Sequence, residues 1–160
     1  MSMAPKPDNN VAAEISKILE FTQRPGGYGR LTIAQRRLLL ITVLTAIVPI
    51  DGKILEVEIS HLRFLLKARY GMGDGEIEIA IACCLHAPNR KLVVEAARQL
   101  VNLLSMEDRI ALVGQLWDLA LCDHNLHGDE EALIYELADC FEVPRKRVIE
   151  QQARAVAQFP

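Results

Sequence analysis

The stretch LTAIVPIDGKILEVEISHLRFLLKA, residues 44–68, aligns without a gap on LWDLALCDHNLHGDEEALIYELADC, residues 116–140. Asp51 corresponds to Asp123 and Glu58 to Glu130, and both pairs are separated by 72 residues (123 − 51 and 130 − 58). In each copy an apolar run ends at the Asp, and the Glu opens the next segment of helical apolar spacing. The repeat therefore predicts two similar units, each made of a helix, an acidic turn and a second helix.

Helical spacing of apolar residues extends over the rest of the chain, and no long strand-like alternation interrupts it. Helix boundaries are predicted after Thr32, near Pro49, at Gly71, at Asp74 as a cap, at Ser105 and at Pro144. The predicted fold class is all-α, a single domain of about seven to eight helices built from two related helix-turn-helix halves. Residues 1–30 are expected to form an N-terminal helix and a Gly- and Pro-containing linker, and residues 31–160 the helical domain.

Composition and charge exclude several classes of protein. The chain has 18 basic and 21 acidic residues, a balance that argues against a nucleic-acid partner, and the basic cluster at residues 145–147 is expected to be solvated. Its strongest apolar run, residues 38–50, is shorter than the roughly 20 residues of a membrane-spanning helix. Because no secretory signal is visible at residues 1–10, we expect a cytoplasmic protein without an integral membrane segment.

The four cysteines, at positions 83, 84, 122 and 140, form no C-x-x-C pair. We expect all four to be reduced, with Cys83 or Cys84 buried, because free cysteines of cytoplasmic proteins commonly behave as small core residues. Trp117 lies on a strongly apolar helical face and is expected in or beside the core.

One interpretation of the repeated Glu58 and Glu130 is purely structural. A carboxylate at the start of a helix interacts favourably with the positive end of the helix dipole, by a few tenths to about 1 kcal/mol. A capping box would place Ser or Thr three residues earlier, where this chain has Leu55 and His127. Capping therefore explains the two Glu residues only in part.

The repeated pattern resembles the tellurite-resistance TerB-like proteins. Their signature, an Asp-Gly turn followed by an apolar residue and a Glu that opens the next helix, is present as DGKILEVE (51–58) and less faithfully as DHNLHGDE (123–130). The run at residues 103–143 is similar to the second half of the family almost throughout, and the resemblance covers about residues 38–148. His124 stands where the family commonly has Gly, and Cys122 where it has a small Ala.

The resemblance implies an all-helical fold, no known catalytic activity, and acids of the two turns that gather into a metal-binding surface. Carried over to this sequence, the metal ligands are Asp51, Glu58, Asp123 and Glu130. Four converging carboxylates would favour Ca²⁺, Mg²⁺ or Mn²⁺ over Zn²⁺, because hard cations prefer oxygen ligands.

Two other metal sites can be considered at residues 122–134. An EF-hand would use Asp123, Asn125 and Gly128 at positions one, three and six, but Ile134 replaces the bidentate Glu at position twelve. Cys122, His124 and His127 are zinc ligand types, but their spacing matches no standard zinc site and no fourth ligand is evident. Both sites are therefore disfavoured relative to the oxygen-ligand site.

No motif for catalysis is present: the sequence has no Gly-rich phosphate loop, no nucleophile elbow and no H-E-x-x-H. No catalytic residues and no organic cofactor are predicted. The leading expectation is a non-catalytic module in tellurite resistance or metal and chemical stress, which binds a divalent cation and partner proteins. The alternative is a metal-free protein-interaction scaffold whose acidic turns only start helices.

Overall fold

The computed structural model describes residues 31–48, 55–85, 90–124, 126 and 128–159, and four exposed helical positions of the N-terminal stretch (13, 16, 17 and 20). This part of the chain contains seven longer helices and no strand, which confirms the all-α fold class. The helices are α1 (Ile33–Thr45), α2 (Glu56–Tyr70), α3 (Asp74–Leu85), α4 (Arg90–Leu100), α5 (Met106–Leu121), α6 (Gly128–Cys140) and α7 (Arg145–Gln158). The apolar side of the predicted N-terminal helix and the Pro25 to Gly27 break lie outside the described residues.

Two helices begin at the side-chain caps that the sequence predicts. At the start of α1, the Thr32 hydroxyl accepts a hydrogen bond from the Gln35 amide at 3.1 Å, and the Gln35 side chain accepts one from the Thr32 amide at 2.9 Å. This reciprocal pair satisfies two backbone donors at the helix start. At the start of α5, the Ser105 hydroxyl accepts a hydrogen bond from the Asp108 amide at 3.1 Å. Asp74 was predicted as a cap but is the first helical residue of α3, because the Gly73 carbonyl already accepts from the Ile77 amide.

Two helices end at residues in the left-handed backbone conformation. Gly71 follows α2 with φ +60°, as its position predicts, since glycine has no side chain to oppose this conformation. At the end of α6 the same conformation is adopted by Glu142, with φ +56°. The helix end is therefore retained although the residue is not glycine.

The repeat is longer than the sequence alignment indicates, because it comprises three helices. The starts of α1 and α5 are 73 residues apart (106 − 33), those of α2 and α6 are 72 apart (128 − 56), and those of α3 and α7 are 71 apart (145 − 74). The remaining helix, α4, lies between the two units in sequence and packs on α1 and on α6. Two three-helix units therefore share one core.

The core of the second unit is centred on Trp117, which is fully buried as expected. Its indole nitrogen donates a hydrogen bond to the Val148 carbonyl at 3.2 Å. Its ring packs nearly perpendicular to the Tyr135 ring, with centroids 5.9 Å apart. These contacts tie α5 to α7 and to α6, and they satisfy the polar atom of a large buried side chain.

The cysteine predictions agree with the described residues. Cys84 is buried, and Cys84, Cys122 and Cys140 form no disulfide among the described residues, whereas the side chain of Cys83 lies outside the description. Within the described parts of the chain, no helix has both the length and the apolar character needed to cross a membrane.

Candidate functional site

The repeated glutamates occupy equivalent and unusual positions. Glu58 is the third residue of α2 and Glu130 the third residue of α6, and each side chain is only 5% exposed. Glutamate is seldom buried to this extent in a soluble protein unless its carboxylate is compensated. The two units therefore bury the same acid at the same point.

Capping does not account for that burial. The residue before α2, Leu55, has no side-chain hydrogen bond to the helix, so no capping box is present. A favourable interaction with the helix dipole is available to an exposed carboxylate and requires no burial. Additional acids are indeed present and exposed in the same first turns, at Glu56 and Asp129. An interaction other than helix capping must therefore stabilise Glu58 and Glu130 in their buried positions.

The acids of both units act on one buried thiol, that of Cys122. Burial first, and then the negative charges of Glu58, Asp123 and Glu130, raise the pKa of this thiol to about 12. Glu58 belongs to the first unit, whereas Asp123 and Glu130 belong to the second. Helix α2, which carries Glu58, packs against α5, and Cys122 directly follows α5, so acids of both units influence the same thiol.

The turn between α5 and α6 preserves a glycine-type backbone at His124. This residue has φ +65°, and its amide donates a hydrogen bond to the Leu121 carbonyl at 2.9 Å. The departure from Gly noted in the sequence therefore does not remove the left-handed turn, but places an exposed imidazole on it at some cost in backbone strain. The half-buried Asp123 directly precedes this residue.

The described part of the proposed metal site consists of Glu58, Asp123 and Glu130, while Asp51 lies outside the described residues. All three carboxylates have interactions within the protein. Among the residues that the structure describes, no group of three or more His, Cys, Asp or Glu side chains is arranged ready to hold a metal ion. The donor chemistry, carboxylate oxygen throughout, nevertheless fits Ca²⁺, Mg²⁺ or Mn²⁺. Binding would require the described side chains to turn toward a shared point.

The two disfavoured metal sites gain no support. An EF-hand loop would run through twelve residues, but α6 already begins at Gly128, the sixth position. For a zinc site, Cys122 would have to be a thiolate, whereas its thiol donates to the Leu119 carbonyl at 3.2 Å and its raised pKa favours the protonated form. His124 is exposed, and Asn125 and His127 lie outside the described residues.

The proximity of Cys122 to acids of both units is not apparent from the sequence, which predicts only a core residue or a zinc ligand at this position. The available signal was its position directly before Asp123, at the junction of helix and turn, where the first unit has Ile50. That position faces the neighbouring unit only if α2 and α5 pack together, as they do in the structure.

Comparison with known families agrees with this architecture. The family described as Tellurite resistance protein TerB matches residues 37–153, which include all seven helices except the first residues of α1 and the end of α7. The chain belongs to the TerB family. Neither the curated proteins nor the solved structures give a match to it.

Proposed function

We propose that this TerB domain is a non-catalytic module of tellurite resistance or of the response to metal and chemical stress, and that it binds a divalent cation through its acidic turns and also binds partner proteins. Asp51, Glu58, Asp123 and Glu130 would hold the ion. Ca²⁺, Mg²⁺ or Mn²⁺ would suit these oxygen ligands better than Zn²⁺. A bound cation would neutralise the carboxylates and hold the two three-helix units against each other.

The observation that carries this proposal is the equal burial of Glu58 and Glu130 beside one thiol. Two carboxylates from different units, together with Asp123, raise the pKa of Cys122. Bringing carboxylates near one another costs free energy, and a cation bound between them would lower that cost. Helix capping alone gives no reason for buried acids of both units to influence the same thiol.

A second candidate is a metal-free interaction scaffold. It is favoured by the interactions that all three described carboxylates already make, and by the lack of a ready-made metal-binding group among the described residues. In that case the acids only begin and anchor helices, and function resides in surfaces that bind partner proteins. The two candidates differ in their response to cations.

The deciding experiment is thermal unfolding of the purified protein with Ca²⁺, Mg²⁺, Mn²⁺ or Zn²⁺ and with chelator. A ligand at about 100 times its Kd stabilises the native state by about 2.7 kcal/mol. For a chain of this length, that corresponds to a rise in Tm of roughly 5–10 °C. We expect this rise with at least one hard cation, and its loss in chelator.

The matched variants compare two of the proposed ligands with two other acids at the start of α6. Asp123→Asn with Glu130→Gln should abolish the cation-dependent rise, because half of the ligands are neutralised. Asp129→Asn with Glu131→Gln removes the same charge from neighbouring positions of α6 and should leave the rise intact. If no cation raises the Tm of the unmodified protein, the scaffold is the correct interpretation; an equal loss in both double variants would indicate general screening of charge.

A further inference from the structure

The last helix, α7, has an unusual charge distribution at its start. Residues 145–158 contain four basic residues and one acid, a net charge of +3 (4 − 1), in a chain whose net charge is −3. Three of the basic residues, at positions 145–147, open the helix, and its first turn contains no acid. Positive charge at a helix N-terminus opposes the helix dipole, so the local preferences of a helix do not explain this cluster.

Internal pairing leaves the positive charge at one end of α7. Arg147 pairs with Glu150 at 2.9 Å. Arg154 pairs with Asp118 of α5 at 3.0 Å. Arg145 lies over the Tyr135 ring at 4.6 Å, a contact that retains its charge, and Lys146 is exposed. The excess positive charge is therefore at the first turn.

An exposed apolar stripe begins beside that charge and follows α7. Ile149 and Val156 are 51% and 49% exposed, and with the exposed Ala153 they have the i, i+4, i+7 spacing of one helix face. At the end of the helix the half-buried Phe159 contacts the ring of His61 on α2, with centroids 5.6 Å apart. His61 in turn lies 6.2 Å from the 61% exposed Phe64, so the aromatic surface continues onto α2.

We propose that this α7 surface, defined as Arg145, Lys146, Ile149, Ala153, Val156 and Phe159, binds an amphipathic helix of a partner protein that presents acidic side chains to Arg145 and Lys146. Anchors at i, i+4 and i+7 are the pattern by which a groove or face receives such a helix. The small side chain of Ala153 lets the partner backbone approach between Ile149 and Val156. The acids of the partner would complement the positive charge of Arg145 and Lys146.

Charge and size favour this occupant over others. From Ile149 to Phe159 the surface is about 15 Å long, which matches about three turns of a partner helix. A helix that lies in a membrane surface has a broader apolar face than the single stripe of Ile149, Ala153 and Val156. A second copy of this chain docking through the same surface would bring the same basic residues, and the one acid of α7, Glu150, is paired with Arg147. A separate acidic helix supplies both a narrow apolar face and the negative charge that complements Arg145 and Lys146.

The inference deepens the partner-binding part of the proposed function and does not depend on the cation. The test is therefore made in chelator, so that failure of the cation site leaves its outcome unchanged. The probe is a fluorescein-labelled synthetic peptide of about 18 residues, with Leu at i, i+3, i+4 and i+7, Glu beside this apolar face, and Ala and Gln at the other positions to favour a helix. Its twin has Lys in place of every Glu, and binding to the full chain is measured by fluorescence anisotropy.

We expect the acidic peptide to bind at least about ten-fold more tightly than its basic twin, and less tightly as salt is added. Ile149→Ser with Val156→Ser, and separately Lys146→Glu, should each weaken binding about ten-fold. Ile33→Ser is the matched control, because Ile33 is 70% exposed on α1, away from the α7 surface. Thermal unfolding of each variant confirms that it is folded.

Three results would overturn the proposal. Equal affinity for both peptides, or unchanged affinity in the Ile149→Ser, Val156→Ser variant, would show that the α7 surface does not select an acidic helix. Binding to phosphatidylglycerol vesicles that is lost in the same variants would assign the surface to a membrane. Dimerisation in sedimentation velocity that is lost in the same variants would assign it to a second copy.

Discussion

Replacing Gly114 with Ala tests how closely α5 and α7 are held together. A Cβ at this buried position would clash with Oε1 of Gln151 and lie 3.0 Å from Nη2 of Arg154. Both atoms are the ends of flexible side chains, so they can move without displacing the backbone. Moving Arg154, however, breaks its hydrogen bond to the Gly114 carbonyl at 3.1 Å and its ion pair with Asp118 at 3.0 Å.

The expected cost follows from two opposing effects. A hydrogen bond from a charged donor contributes about 1.5 kcal/mol and a partly exposed ion pair about 0.5–1 kcal/mol, so about 2–2.5 kcal/mol is lost. Alanine in a helix interior is favoured over glycine by about 1 kcal/mol. Gly114→Ala should therefore lower the free energy of unfolding by about 1–1.5 kcal/mol and the Tm by roughly 2–6 °C.

Urea or thermal unfolding of a variant series checks this estimate. In a background in which Gln151 and Arg154 are both Ala, the obstructing side chains are absent, and Gly114→Ala should become stabilising by about 1 kcal/mol. Gly75→Ala is the control, because a Cβ at this exposed position of α3 meets nothing within 4 Å, and it should not destabilise. A penalty for Gly114→Ala that persists in the double-Ala background would refute the assignment to Gln151 and Arg154.

Three further predictions concern single side chains. His124→Gly should raise the free energy of unfolding by roughly 0.5–1 kcal/mol, since glycine adopts φ +65° without strain, and lower or unchanged stability in urea unfolding would refute the strained turn. Burial lowers the pKa of His61 although Asp118 opposes the shift, so the unfolded chain binds a proton more readily than the folded chain does. The free energy of unfolding should therefore fall as the pH decreases below about 6.5, and His61→Gln should remove that part of the pH dependence measured by urea unfolding. Alkylation of Cys122 by iodoacetamide at mildly alkaline pH should be roughly a thousandfold slower than in the unfolded chain, because the pKa of the thiol is about 12 against an ordinary value of 9.0. Glu58→Gln should accelerate the alkylation measured by mass spectrometry, and an unchanged rate would show that Glu58 does not act on the thiol.

Much of the fold could be predicted because its signals are local. Thr32 with Gln35, Ser105 and Gly71 mark helix boundaries through bonds and backbone angles within a few residues, and these boundaries agree with the structure. The 72-residue repeat was visible only around the acidic turns, where side-chain identity is similar. The equivalence of the third helices, α3 and α7, is not apparent from the sequence, because they share position and packing but little sequence similarity. Helix α3 begins DGEIEIAI and α7 begins RKRVIEQQ.

The candidate site was less accessible to sequence reasoning because it depends on contacts between the units. Nothing local shows that Glu58 is buried or that its charge acts on Cys122, more than 60 residues away in sequence. The pair of Arg154 and Asp118 was unpredicted for the same reason, since it joins α7 to α5. His124 could be recognised as a departure from glycine, but only the backbone angle shows that the turn is kept.

In the proposed site, the acidic turns of the two units share one cation. Crystals grown or soaked with Mn²⁺ and measured near the manganese absorption edge test it directly, because the anomalous signal locates the ion without reference to the protein coordinates. We predict one strong peak beside Cys122, with carboxylate oxygens of Glu58, Asp123 and Glu130 at roughly 2.0–2.6 Å from it. Well-diffracting Mn²⁺ crystals that show no peak between these carboxylates would contradict the shared cation site. The metal-free helical scaffold would then be the correct interpretation.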